Sequence, residues 1–323
     1  MLMFSLEPQA AWAAEVAAAL GQPLAPHEER RFTDGECKLR PLVDPCGEDA
    51  YVLFSLHGGP QDSPHDKLCR LLMFIATLHE HGAARVTAVV PYLAYARKDR
   101  QTKPHDPVTL RYVAQMFEGV GTDQIMVLEV HNVAAFQNAF RCLTVHIDSH
   151  PAFDDVVREF ADGGPLAVAS PDPGGVKRAQ LWREALEQKL RMPVGFAMVD
   201  KRRSAGVVSS TGLVAGEVAG ATVLLFDDLI ASGETMVRAA RALRESGARR
   251  VSACAAHGLF IEPAREALLD EHIDQVVVGD AVPPFRLGGD ALGGRLRQVS
   301  CAPLWAGAIR RSHSAWRGAA GRG

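Results

Sequence analysis

Asp227 and Asp228 stand side by side in the stretch VLLFDDLIASGETMVRAARAL, residues 223–243. Two adjacent carboxylates repel each other, and burying them is costly unless they meet partners. A cation or a set of hydroxyls is therefore expected opposite them. Behind the acids come Ala231, Ser232, Gly233, Glu234 and Thr235, and then a helical pattern whose apolar stripe is Met236, Val237, Ala240 and Leu243. Main-chain N–H groups at a helix start, a glycine that admits close approach and two hydroxyls make a cradle for a phosphate. A phosphate held between Ser232 and Thr235 leaves the two acids within reach of hydroxyls on an attached sugar. The same residues also read as an ordinary helix start, with Ser232 as cap and two solvated acids.

These residues need a scaffold, and the rest of the chain supplies a regular one. Apolar runs alternate with helical stretches: YVLFSL (51–56), HDKLCRLLMFIATLHEHG ending on Gly82, RVTAVVPYLAY (85–95), DPVTLRYVAQMFEGVG with Pro107 at a helix start, and QIMVLEVH. The rhythm repeats in LAVASPDPGG, VKRAQLWREALEQKL, VGFAMVDKRR, ATVLLFDD, RVSACAAHGLF and IDQVVVGD. Strands separated by helices of this length predict right-handed crossovers and a mainly parallel sheet, twice over. Two units of roughly 150 residues are expected from such a length, joined near HIDSHPAFDD (146–155). Ligands in such sheets bind beyond the carboxyl ends of the strands. The terminal SHSAWRGAAGRG reads as a frayed tail.

Composition bounds the rest. A formal net charge of −3 over 323 residues, with 47% hydrophobic and 23% charged side chains, gives no electrostatic reason for a nucleic-acid or membrane partner. The start has no secretory leader pattern and no apolar run has spanning length, so a cytoplasmic protein is expected. The six cysteines (Cys37, Cys46, Cys69, Cys142, Cys254, Cys301) form no C-x-x-C pair and have no nearby histidine at ligand spacing, so reduced thiols are expected rather than a disulfide framework or zinc site.

The 223–243 stretch resembles the phosphoribosyl pyrophosphate (PRPP) binding motif of phosphoribosyltransferases and ribose-phosphate pyrophosphokinases. RRFTDGE (30–36), VVPYLAYARKDRQ (89–101), VLEVHN (127–132), SPDPGG (170–175), VDKRR (199–203) and APLWAGAIRRSH (302–313) follow in order over nearly the full length. Together they resemble the ribose-phosphate pyrophosphokinase, or PRPP synthetase, family. The resemblance implies two phosphoribosyltransferase-like α/β domains, 1–147 and 148–302, each a mainly parallel sheet flanked by helices, with the C-terminal segment 303–316 packing back on the first. It implies transfer of pyrophosphate from ATP to the anomeric hydroxyl of ribose 5-phosphate, giving PRPP and AMP with Mg²⁺ as cofactor. A homo-oligomer is implied in which the 32–36 loop reaches a neighbouring subunit's site.

Roles follow from the same resemblance. Lys201 and Arg203 are implied as transition-state cations on a closing lid, a lid being a means of keeping water from the phosphoryl group. His131 and Asp172 are implied at the metal, with His131 alternatively on a phosphate. Gly174 and Gly175 would admit close backbone approach. Phe32, Asp34 and Glu36 resemble an adenine-binding loop, and Arg97, Lys98 and Arg100 line the nucleotide. Asp227, Asp228 and the loop Ala231, Ser232, Gly233, Glu234 and Thr235 would bind ribose 5-phosphate. Many family members carry Gln where Lys98 stands and Asp-Thr-Gly-Gly-Thr at 231–235. A Glu234 carboxylate beside a phosphate is expected to turn outward. Two other readings follow from these departures: a non-catalytic nucleotide-binding subunit, and a diphosphokinase with another sugar phosphate as acceptor.

Overall fold

Strands buried along their whole length need cover on both faces, and DAYVL, RVTAVV and QIMVL bury all their residues. The computed structural model describes residues 1–7, 10–160, 163–200, 203–204, 207–208, 213–289 and 291–320. It divides into two units, Met1–Ser149 with Ser300–Gly323, and His150–Val299.

In the first unit β1 (Leu2–Ser5), α1 (Ala11–Leu20), the hairpin strands β2 (His27–Arg31) and β3 (Cys37–Pro41), and β4 (Asp49–Leu53) are followed by α2 (Pro64–Glu80). Then come β5 (Arg85–Val90), α3 (Thr109–Gly119), β6 (Gln124–Leu128), α4 (Val133–Ala139) and β7 (Leu143–Ile147). The sheet runs in the order β1-β4-β5-β6-β7, every neighbouring pair parallel. The β2–β3 hairpin is antiparallel and separate from it. Helix α2 starts on a full capping box, with Ser63 and Asp66 exchanging hydrogen bonds and Pro64 in the first turn. Helix α3 starts later than the sequence predicts: its cap is Val108, so Pro107 lies outside it.

The larger correction concerns the tail. SHSAWRGAA is not frayed but continues the C-terminal helix, Ala302–Ala320, which packs on α1 with Trp305 against Trp12 at 6.4 Å. Its polar residues have polar targets on the sheet, which composition does not reveal. Ser312 Oγ donates to Gln124 Oε1 at 2.7 Å, and His313 Nδ1 meets Asp49 Oδ2 at 2.7 Å. Asp49 is fully buried and also takes two hydrogen bonds from Arg85, both 2.7 Å, while Arg85 Nη2 donates to Tyr51 Oη at 2.6 Å.

The second unit holds α5 (Asp154–Phe160), β8 (Leu166–Ser170), α6 (Val176–Leu190), β9 (Gly195–Asp200), β10 (Arg203–Ser204), β11 (Val207–Val208) and β12 (Leu213–Gly216). It continues with β13 (Thr222–Ile230), α7 (Glu234–Glu245), β14 (Arg250–Gly258), α8 (Ala264–Leu268), β15 (Gln275–Gly279) and β16 (Leu296–Val299). Strand order is β12-β9-β8-β13-β14-β15-β16, parallel except for the antiparallel β12–β9 edge pair. One face is covered by α7, whose stripe Met236, Val237, Ala240 and Leu243 is buried as expected, with Ala239 and Ala242 added. The other face carries an aromatic knot of Phe153, Trp182 and Phe226, the last two rings 4.6 Å apart.

Removing Asp49 leaves the Arg85 guanidinium buried without its counter-charge. Asp49→Ala should lose about 3–5 kcal/mol in urea unfolding, whereas His313→Ala, which only frees one hydrogen bond at the edge of the cluster, should lose about 1 kcal/mol. Equal losses would mean that the buried pair is not what braces this end of the sheet.

Candidate active site

Strand β13 does not stop at the acids. It runs on to Ile230, paired with β14 from Thr222↔Arg250 to Ile230↔Gly258, while β8 leaves it after Ala169↔Leu225. Asp227 and Asp228 therefore lie just past the carboxyl end of β8, beside the turn that β8 feeds. The cation expected opposite them is Arg178, from the first turn of α6. Its Nη1 donates to Asp227 Oδ1 at 3.2 Å and lies 3.6 Å from Asp228 Oδ1. The side chains of Arg178, Asp227 and Asp228 are 12%, 19% and 5% exposed. The Asp228 N–H also donates to Asp227 Oδ1, at 2.9 Å. Burial, and then the charge of Asp228 alongside, push the Asp227 carboxyl well above the usual carboxylate range, with Arg178 pulling the other way.

Beyond β13 the chain turns through Ala231, Ser232 and Gly233 into α7. Gly233 is the cap at φ 79°, and no side chain caps the helix, so Ser232 is not the capping residue. A Cβ at Gly233 would lie 2.9 Å from Leu268 Cγ, so both the left-handed backbone and the space demand glycine. The first backbone bond into the helix is Val237 N–H to Gly233 O at 3.0 Å. The N–H groups of Ser232, Gly233, Glu234, Thr235 and Met236 have no partner among the described residues. Glu234 is exposed, the condition that the sequence set for its carboxylate. Five donors without a partner among the described residues, at a helix start that follows two acids in the chain, are groups of the kind that take an anion and its attached hydroxyls.

Asp172 caps the short turn that leads into α6. Its Oδ1 accepts from the N–H groups of Gly174 (2.8 Å) and Gly175 (3.3 Å), and Ser170 Oγ donates to its carbonyl at 2.6 Å. Its Oδ2 has no partner among the described residues, and a hard divalent cation takes such oxygens.

The first unit carries the nucleotide-side candidates. Phe32, Asp34 and Glu36 are exposed in the turn at the tip of the β2–β3 hairpin. The turn is closed by Phe32 N–H to Glu36 O (2.8 Å), Gly35 N–H to Phe32 O (3.1 Å) and Glu36 N–H to Asp34 Oδ1 (3.1 Å). The Phe32 ring already carries a guanidinium, Arg30, 5.1 Å from its centroid. Arg97 and Arg100 are exposed. Lys98 is turned to Asp106, with Nζ 2.6 Å from Oδ2 and 3.1 Å from Thr102 Oγ1. Asp106 Oδ2 also accepts from Thr102 and Lys103 N–H groups. These bonds, that to Lys98 foremost, hold the Asp106 carboxyl well below the usual carboxylate range. Lys98 thus shapes the loop that bears the two arginines.

His131 is exposed just past β6. The backbone ahead of it turns at Glu129, φ 45°, whose Oε2 accepts from Ser149 N–H (2.8 Å) and Oγ (2.9 Å). Asn132 next to it caps α4 through Oδ1 and donates from Nδ2 to Asp99 Oδ2 at 2.6 Å. One side chain thereby ties the His131 turn to the loop of Arg97 and Arg100. His131 falls in the first unit and Asp172 in the second. Among the described residues the group of three ligating side chains close enough to share an ion is Glu129, His146 and Asp148, which includes neither. Lys201 lies outside the described residues, and Arg203 is described only as backbone in β10.

Sequence reasoning missed Arg178, although it asked for a cation there. The available signal was a basic residue in the first turn of a helix, where the macrodipole disfavours it and a paired acid must offset the cost. Asn132 and Asp106 gave no signal, since their roles rest on contacts across loops.

Comparison with known proteins adds an independent line. Residues 1–121 match the family model for the N-terminal domain of ribose phosphate pyrophosphokinase, and residues 209–317 that for the phosphoribosyl synthetase-associated domain. The ribose-phosphate pyrophosphokinase of Caldanaerobacter subterraneus subsp. tengcongensis is 34% identical over 301 residues, 93% of this chain and 91% of that one. That of Rhodopirellula baltica is 35% identical over 289 residues, 88% and 86%. A solved phosphoribosylpyrophosphate synthetase from Mycobacterium smegmatis superposes with a TM-score of 0.84 at 30% identity, over 97% of this chain and 99% of that one.

The raised Asp227 carboxyl makes a prediction about stability. Folding takes up a proton between the ordinary value and the raised one, so stability falls as pH climbs through that window. Asp227→Asn, which cannot ionise, should therefore melt higher than the parent at pH 7–8. The advantage should shrink on acidification and vanish near about pH 4, where the unfolded acid is itself protonated. A gap in melting temperature that is constant from pH 4 to 8 would contradict the protonation argument.

Proposed function

The chain belongs to the ribose-phosphate pyrophosphokinase family, and from that premise we propose that it transfers the β,γ-pyrophosphoryl group of ATP to the anomeric hydroxyl of ribose 5-phosphate, releasing PRPP and AMP. The observation that carries this reading is the row of unsatisfied N–H groups from Ser232 to Met236 set one turn from Asp227 and Asp228. The amides hold the 5-phosphate, with the hydroxyls of Ser232 and Thr235 beside them. The acids accept hydrogen bonds from the ring hydroxyls. The acceptor is then fixed for in-line displacement, and such transfer rests on positioning and electrostatics rather than covalent chemistry.

On the nucleotide side Phe32 offers a face for adenine, and Asp34 and Glu36 accept from its exocyclic amine. Arg97 and Arg100 reach the phosphates from a loop that Lys98 and Asp106 brace. Lys201 and Arg203 neutralise charge developing on the transferred group. Asp172 Oδ2, without a partner among the described residues, and His131 are each offered as a ligand to Mg²⁺ in their own unit. Bound with ATP, the ion supplies charge neutralisation on the phosphate oxygens.

The exposure of the 32–36 turn supports a homo-oligomer in which it serves a neighbouring subunit's site. No helix among the described residues is long and apolar enough to cross a membrane. The free thiols of Cys37, Cys46, Cys69, Cys142 and Cys254 suit a reducing compartment, and we place the enzyme in the cytoplasm.

Purified protein incubated with Mg-ATP and ribose 5-phosphate should yield AMP and PRPP in equal amounts. Absence of AMP at high enzyme concentration would instead favour a nucleotide-binding subunit. A different sugar phosphate that exceeds ribose 5-phosphate in kcat/KM by about tenfold would reassign the acceptor. Lys201→Ala should lower kcat by about a hundredfold or more with the fold intact, the scale of losing one preorganised charge contact. Parent-like turnover in that variant would remove Lys201 from the reaction.

A further inference from the structure

We propose that Arg178 positions the acceptor site: reaching from the first turn of α6 to Asp227 and Asp228, its guanidinium holds the two carboxylates in the orientation that receives the pentose hydroxyls. The inference rests on the reading of residues 227–235 as the ribose 5-phosphate site and assigns a further residue to it.

Three observations carry it. The first is the contact itself: one cationic side chain, 12% exposed, spans two acids at 3.2 and 3.6 Å. Asp228 and Arg178 both act on the Asp227 carboxyl, with opposite signs. On the flanking strands β8 ends in Ser170, and β14 sets Ala255 in register with Asp227. The second is register. Arg178 and Trp182 lie one turn apart on α6, and Trp182 packs on Phe226, the residue before Asp227. The same helix face thus fixes the strand by an aromatic contact and its acids by a charged one. The third is space. A Cβ at Gly175 would lie 2.7 Å from Ser170 Oγ, and 3.6 and 3.7 Å from Arg178 Nη1 and Asp227 Oδ1. A side chain there would collide with Ser170 Oγ, so glycine is what lets this turn pack against both the guanidinium and the acid.

Both acids are met by one nitrogen, Nη1, which a lysine ammonium on a shorter, unbranched side chain reproduces only in part. Kinetics of Arg178→Gln and Arg178→Lys, with calorimetric titration of ribose 5-phosphate in the absence of ATP, test the role. Arg178→Gln should raise KM and Kd for ribose 5-phosphate by about tenfold or more, as expected for charge-assisted contacts, with KM for ATP changed less than about twofold. Arg178→Lys should recover part of that loss. The acid limb of kcat/KM for ribose 5-phosphate should move to higher pH in the Gln variant and back towards the parent in the Lys variant. The sugar phosphate's own ionisation is common to all three and cancels.

If Arg178→Gln does not fold, Arg178→Lys alone decides, since it keeps the charge and loses the reach and shape of the guanidinium. Parent-like binding of ribose 5-phosphate in Arg178→Lys, with an unmoved pH profile, overturns the proposal in that case. So does a rise in both KM values together in either variant, which would mark a general structural role. A parent that neither binds ribose 5-phosphate nor releases AMP would instead remove the functional reading on which the proposal stands.

Discussion

Two adjacent carboxylates within β13, just past the end of β8, constrain the second unit more than any other feature. They cannot be left facing each other in a low-dielectric setting, and they cannot be replaced by apolar residues if they are to grip hydroxyls. Arg178, brought in from the neighbouring crossover, meets both of them. It comes from the first turn of α6, just after the glycine pair, where β8 has ended and β13 runs on. The turn that caps Asp172 and the turn that seats Arg178 are one turn, so the acceptor side and the residue offered to a metal share a local structure.

The first unit solves a similar problem for a different purpose. Asp49 and Arg85 form a buried pair at the amino ends of β4 and β5, and the C-terminal helix closes over it with Ser312 and His313. There the charges brace the sheet away from its carboxyl end, where ligands bind. At the carboxyl end lie the His131 turn and the arginine loop, linked by Asn132 and Asp99. The bracing charges and the residues proposed for chemistry thus occupy opposite ends of the same strands.

Much of this was legible in sequence where the signal is local. The parallel strands announce themselves as unbroken apolar runs, and α7 as a stripe from Met236 to Leu243. The motifs carried the family, and the family carried the roles. What was not legible is what depends on contacts distant in sequence. The terminal helix looked like a tail because Ser312 and His313 are polar, and nothing local says that Gln124 and Asp49 await them. The need for a cation beside Asp227 followed from electrostatics, but its identity did not, since Arg178 is 49 residues away. The continuation of β13 to Ile230 was likewise hidden, because a pair of acids looks like a strand end until β14 is seen to pair past it.

The anion cradle shows how a loop can stay ordered while its own hydrogen-bonding groups stay available. A loop that satisfied its amides internally would be stable and useless for binding; one held by nothing would pay the ordering entropy on each encounter. Here the conformation is imposed from outside the loop. Gly233 sits in the left-handed region against Leu268, a fully buried residue of α8 that belongs to the core beneath the sheet. On one side the chain is anchored by the β13–β14 ladder through Ile230, and on the other by the buried stripe of α7. Packing therefore fixes the backbone, and the five N–H groups from Ser232 to Met236 have no partner among the described residues. In the proposed cradle Ala231 lies outside these five and Glu234 adds only its N–H, so both side chains can depart from the family pattern, whereas position 233 has no such freedom.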